Sequence, residues 1–251
     1  AKAAILYPNQ SLNVLISCKV GCGTTSFAYA MYCFARENGV IKKEAPYVKI
    51  NCRHFSKNIS VLDNELFGIG HDLNKSCFMK AKGGVLFLDN VDLLDAKQQS
   101  QLYTFLETNI IYSEDGTKSK ECKDIFVIIS QSPQSNMQFE RIIPVIIELP
   151  ELKDRSIKER FGLINHFFSN EASHSMRSIE VTSETIRALL LSDFDYNVKE
   201  LKFEIKAACA NAYVRVVRDI HQNIQVVVND FKNQVRKSLI KLKNNHIEIE
   251  A

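Results

Sequence analysis

Residues 83–90 read GGVLFLDN, an unbroken apolar run between a glycine pair and an acid. A half-buried strand alternates apolar and polar residues. A run without alternation has to be covered on both faces. SLNVLIS (11–17), DIFVIIS (124–130) and PVIIEL (144–149) have the same character, and YVKIN (47–51) is a shorter β-prone run. Helical segments lie between them. One follows from Thr25 in SFAYAMYCFAREN; another is AKQQSQLYTFLET (96–108), with Leu102, Phe105 and Leu106 at helical spacing. Apolar strands alternating with helices imply an α/β fold, a parallel sheet sandwiched by helices, over residues 1–150.

The character changes at Pro150. DRSIKERFGLINHFFSNEA (154–172) sets Ile157, Phe161, Ile164, Phe167 and Phe168 on one helical face, and TSETIRALLLSD (182–193) opens with Ser183 as the expected N-cap. NVKELKFEIKAACANAYVRVV (197–217) is a longer amphipathic helix. A small all-helical unit is therefore expected over 151–221. Residues 222–251 are expected to form a short strand and a basic helix leading to a further domain outside this chain.

A formal charge of +3 does not by itself argue for nucleic acid, which needs clustered charge. No apolar run approaches membrane-spanning length, and the start, AKAAILYPNQ, lacks the basic and apolar regions of a signal peptide. The missing initiator Met suggests a piece of a longer protein. The 7 cysteines are scattered without a C-x-x-C pair, so metal-ligand spacing and a disulfide framework are not expected. Reduced thiols in a cytoplasmic protein are the simpler reading.

Between the first strand and helix lies KVGCGTTSFA (19–28). A phosphate loop needs glycines that let backbone N–H groups turn inward, a lysine for the β/γ charge, and a hydroxyl for Mg²⁺. Against G-x-x-x-x-G-K-[ST] the chain offers Cys18, Gly23, Thr24 and Thr25. The second glycine and the hydroxyl are present; the first glycine and the lysine are not. In such folds an acid ending a buried strand holds Mg²⁺, and a glutamate after it orients the attacking water. Here these are Asp89 and Asn90. An amide hydrogen-bonds water but cannot take its proton.

AKAAILYP, NCRHFSKN, LDNELFG, GGVLFLDNVDLL, QSQLYTFLE and IPVIIELPELKDRSIKERFGLI occur in one order along nearly the whole chain. The pattern resembles the central AAA+ domain of bacterial σ54-dependent transcription activators, in particular the levanase-regulator-like group that controls sugar phosphotransferase operons. The resemblance implies an AAA+ P-loop subdomain followed by a helical lid. It further implies ATP or ADP with Mg, a ring of identical subunits, contact with σ54, and DNA bound only through a separate domain. Carried over residue by residue, Gly21, Gly23, Thr24, Thr25, Ser26, Ser132 and Lys199 fall at nucleotide-binding positions. Thr25 and Asp89 match the Mg positions, and Arg141 remains of two arginines, Ile142 replacing the second. The lid glycine is Tyr196.

The G-A-F-T-G-A motif that contacts σ54 is missing from IGHDLNKSCFMKAK (69–82). These losses fall together on charged, catalytic positions while the apolar skeleton is intact. The resulting expectation is a retained fold and a weak or non-hydrolysing nucleotide module acting in regulation or oligomerisation. Two alternatives stand beside it. One is a competent ATPase in which Lys19 or a neighbouring subunit replaces the missing charge; the other is a binding module with a new ligand in the old cleft. In the plainest reading Thr24, Thr25 and Ser26 only start a helix, and Arg141 and Lys199 are solvated charges.

Overall fold

The computed structural model describes residues 1–7, 11–55, 58–68, 72–113, 116–135, 139–217 and 222–238. These divide into two compact units, one of Ala1–Lys19 with Gly23–Leu149, the other of Val20–Cys22 with the chain from Pro150 onward.

The first unit runs α1 (Lys2–Ile5), β1 (Val14–Ser17), α2 (Thr24–Glu37), β2 (Tyr47–Asn51), α3 (Ile59–Phe67), α4 (Cys77–Lys80), β3 (Val85–Asp89) and α5 (Ala96–Thr108), followed by β4 (Ile110–Tyr112), β5 (Ser119–Glu121), β6 (Phe126–Gln131) and β7 (Val145–Glu148). Five strands form one sheet in the order β2-β3-β6-β1-β7, and every pairing in it is parallel. The antiparallel hairpin β4–β5 stands apart from it; nothing in the apolar pattern announced that pair.

The unbroken apolar runs are explained by the two faces of the sheet. Leu86 and Leu88 of β3 pack with Leu102 and Phe105 of α5 on one face. Val85 and Phe87, pointing the other way, pack with Ala28, Met31 and Tyr32 of α2. β6 divides likewise, Val127 and Ile129 against Phe126 and Ile128. Side chains alternate along a strand, so each strand needs apolar residues at both parities only where both faces are covered. This is the α/β sandwich that the sequence implied. α5 begins at Asp95, which forms a capping box with Gln98.

The second unit contains α6 (Ile157–Ser175), β8 (Ile179–Val181), α7 (Ser183–Leu191), α8 (Asn197–Val216) and β9 (Ile224–Val226). Ile164, Phe167 and Phe168 of α6 enter its core with Leu189, Leu201, Ile205, Ala208 and Ala212. The face predicted for α6 is only partly used, since Ile157 and Phe161 are exposed. Two further expectations need correction. The unit is not all-helical: β8 and β9 pair in parallel, and both ends of β9 are buried. The cap of α7 is Thr182 rather than Ser183, its hydroxyl accepting from the Thr185 N–H. The basic helix expected after β9 lies largely outside the described residues.

Candidate functional site

The side chains that meet at the carboxyl ends of the strands all lie on the α2 face of the sheet. On β2 the period of two puts Tyr47, Lys49 and Asn51 on that face, while Val48 and Ile50 pack on the other. On α2, Thr25, Tyr29 and Tyr32 follow one another at helical spacing. The two rows run alongside each other. Tyr47 meets Tyr29 edge-to-face and Tyr32 at a tilt, with ring centroids 5.5 and 5.1 Å apart, and the Lys49 ammonium donates to the Thr25 hydroxyl at 3.0 Å.

Asp89 ends β3 at the same parity as Phe87 and is buried, 5% exposed. Three neutral donors serve its carboxylate. Ser130 donates to Oδ1 at 2.6 Å, Asn51 Nδ2 donates to Oδ2 at 2.9 Å, and Thr24 reaches Oδ1 at 3.5 Å. Ser130 also accepts from the Asn90 N–H at 2.9 Å. Asn51 Oδ1 accepts from the Asn90 side chain at 3.3 Å and from the Arg53 N–H at 3.0 Å. Arg53 Nη2 donates in turn to Asn90 Oδ1 at 3.4 Å. The Asn90 amide is thus held at both ends, its backbone in the left-handed region that asparagine tolerates (φ 61°). Burial, and then the Asp89 charge, push the Cys52 thiol up to about 12 and raise the Tyr47 phenol as well.

Thr24, Thr25, Asp89 and Asn90 are therefore brought together, with Gly23 in a left-handed N-cap conformation (φ 104°) ahead of α2. Ser26 is exposed on the next position. Ser132 lies beyond β6 and spends its hydroxyl on Gln134 at 3.3 Å; Ser130, two residues earlier, faces Asp89 instead. Arg141 is exposed, and Ile142, at the second arginine position, packs against the apolar core.

Within the second unit, Gly21 accepts from the Lys199 N–H at 3.1 Å, and a Cβ on Gly21 (φ +87°) would fall 2.1 Å from the Tyr196 carbonyl oxygen. The Lys199 ammonium lies over the Phe203 ring at 6.0 Å. Asn197, 3% exposed, accepts from the Leu152 N–H and donates to the Val20 carbonyl; Arg155 donates to the Cys22 carbonyl at 2.8 Å.

Sequence reasoning named Asp89 and Asn90 but missed Lys49, Asn51, Arg53 and Ser130. NCRHFSKN enters the sequence pattern without a role for its first residue, Asn51.

The Thr25 oxygen faces an ammonium, and three of the roughly four acceptor positions of the Asp89 carboxylate are filled by neutral donors. Among the described residues no group of three or more His, Cys, Asp or Glu side chains could hold a metal ion. The residues present do not fit Mg²⁺ as the phosphate-loop pattern would hold it. A separate cavity, lined by Gly84, Asp124 and Phe126 among others, lies where β3 and β6 begin, at the other end of those strands.

The sigma-54 interaction domain model matches residues 2–141, more than half of the chain. The chain belongs to the sigma-54 interaction domain family. Among curated proteins, this sigma-54 interaction domain is 27% identical over 256 residues to the transcriptional regulatory protein LevR of Bacillus subtilis, with 98% of this chain and 27% of LevR aligned. It is 29% identical over 239 residues to the transcriptional regulatory protein DagR of Salmonella typhimurium, covering 90% of this chain and 25% of DagR. The chain thus spans about a quarter of the length of these relatives. The solved structure of NtrX from Brucella abortus in complex with ADP has the same fold, with a TM-score of 0.74, 18% identity, and 94% of this chain and 53% of that one covered.

Proposed function

We propose that this sigma-54 interaction domain is a nucleotide-binding module that does not hydrolyse, working by regulation or oligomerisation inside a larger bacterial regulator of sugar operons. The placement of Asn90 carries the reading. Its side-chain amide is held by Asn51 and Arg53 and its backbone N–H by Ser130, beside Asp89, where hydrolysis would need a group able to take a proton from water. Thr24 in place of lysine, and Ile142 packed against the core where an arginine would serve a neighbouring subunit, support it.

Weak or absent σ54 contact belongs to the same reading. In the interval that should carry the contact motif, residues 69–71 lie outside the described residues. The described remainder turns inward: Leu73, Cys77, Phe78 and Ala81 are buried. Gly68 and Asp72 approach so closely that a Cβ on Gly68 (φ +101°) would fall 2.3 Å from the Asp72 carbonyl oxygen. Only three residues separate these two points in sequence, fewer than the motif itself has. The similarity to LevR and DagR supports the transcriptional setting. NtrX, which shares the fold, has been crystallised with ADP and with ATP, which supports a nucleotide as the ligand.

Calorimetric titration with ADP and ATP, paired with a phosphate-release assay, tests the proposal. Binding without release is expected; turnover at a rate typical of an ATPase would overturn it.

A further inference from the structure

Lys49 occupies a position that changes what the site can bind. It lies on β2, the edge strand, and is exposed; its ammonium donates to Thr25 Oγ1, the hydroxyl that a phosphate loop gives to the metal. An ammonium has three donors, so one bond to Thr25 leaves two for phosphate oxygens. The packing of Tyr47 against Tyr29 and Tyr32 sets β2 against α2 and fixes where the lysine stem starts. The Asp89 carboxylate is already satisfied by Ser130, Asn51 and Thr24, so the usual acid partner of the metal is engaged elsewhere.

We infer that Lys49 supplies a positive charge in place of the missing loop lysine, and that the domain binds the phosphate chain of a nucleoside di- or triphosphate without a divalent metal. The inference rests on the nucleotide reading above and adds the identity of the cation. The charge arrives from the neighbouring strand rather than from the loop itself. Charge-assisted hydrogen bonds to phosphate are worth about 1.5–3 kcal/mol each, so the loss of even one weakens binding about tenfold to a hundredfold.

ADP and ATP are titrated into the protein in EDTA and, separately, in MgCl₂, for the wild type, Lys49→Met and Lys49→Arg. Lys49→Met keeps an apolar stem of similar length at an exposed position, and a thermal melt confirms that it folds. The expected result is an affinity in EDTA within about threefold of that in MgCl₂, a loss of at least about tenfold in Lys49→Met, and substantial recovery in Lys49→Arg. Binding that requires Mg²⁺ would overturn the inference while leaving the nucleotide reading in place. Lys49→Met binding as tightly as the wild type would do the same. Failure of the wild type to bind in either buffer would remove both.

Discussion

Ser130 shows how one small side chain can fix a site. Its hydroxyl donates to Asp89 and accepts from the Asn90 N–H, so both of its neighbours depend on it. Ser130→Ala leaves a buried carboxylate oxygen short of its nearest donor and an N–H without its acceptor. We expect a loss of about 1–3 kcal/mol, read from urea unfolding midpoints. Asn90→Glu tests the chemistry rather than the packing. It restores a carboxylate after Asp89 but leaves Thr24 and Ile142 unchanged, and it sets that charge facing the Asn51 carbonyl oxygen in place of an N–H donor. Phosphate release in this variant is expected to stay at the wild-type level; a rise to steady turnover would show that the base alone had been lacking. At this scale the sequence revealed Asp89, which keeps a known pattern, and Thr24 and Asn90, which depart from it. Lys49, Asn51 and Ser130 were not legible, because their roles depend on strand order. Only when β2 and β6 flank β3 do Asn51 and Ser130 meet Asp89.

Among the elements, β3 was the most legible. Its unbroken apolar run has one physical solution, burial on both faces, and Val85, Leu86, Phe87 and Leu88 are each fully buried. Phe87→Ala should cost about 3–5 kcal/mol, observable as a lowered thermal midpoint. The hairpin β4–β5 was illegible for the opposite reason: SKE (119–121) has no apolar alternation, and antiparallel pairing with Ile110–Tyr112 holds it. β8 was missed because three residues carry little periodicity; the pairing with β9 stabilises it. That corner of the second unit depends on Asp230, which accepts from Arg215 through both carboxylate oxygens and from the Val227 N–H. Burial pushes its carboxyl up, but these bonds and the arginine charges outweigh it and hold it below the ordinary aspartate range. A carboxyl lowered on folding stabilises the protein above its unfolded pKa, and that contribution disappears as pH falls through the folded value. Asp230→Asn should therefore be less stable than the wild type at pH 7 by about 1–3 kcal/mol. The gap should close below about pH 4, as measured by urea unfolding across pH.

For the molecule as a whole, most of the thiols are buried. Cys22, Cys52, Cys77, Cys122 and Cys209 are buried, and Cys18 and Cys33 are half-buried. Burial raises Cys77 and Cys122 and pushes Cys52 and Cys209 up to about 12. Iodoacetamide at pH 8 should therefore modify Cys18 and Cys33 well before the others, as peptide mass mapping would show. The two-unit organisation follows from a composition change at Pro150, visible in the sequence as the end of apolar strands and the start of long amphipathic helices. The grouping of Val20–Cys22 with the second unit could not be read there, since it rests on backbone bonds to Asn197, Lys199 and Arg155. The proposed nucleotide site without turnover is checked by measuring ATP binding and phosphate release on the same wild-type sample. Saturable binding with release indistinguishable from a protein-free control is expected; steady release that scales with protein concentration would overturn the proposal.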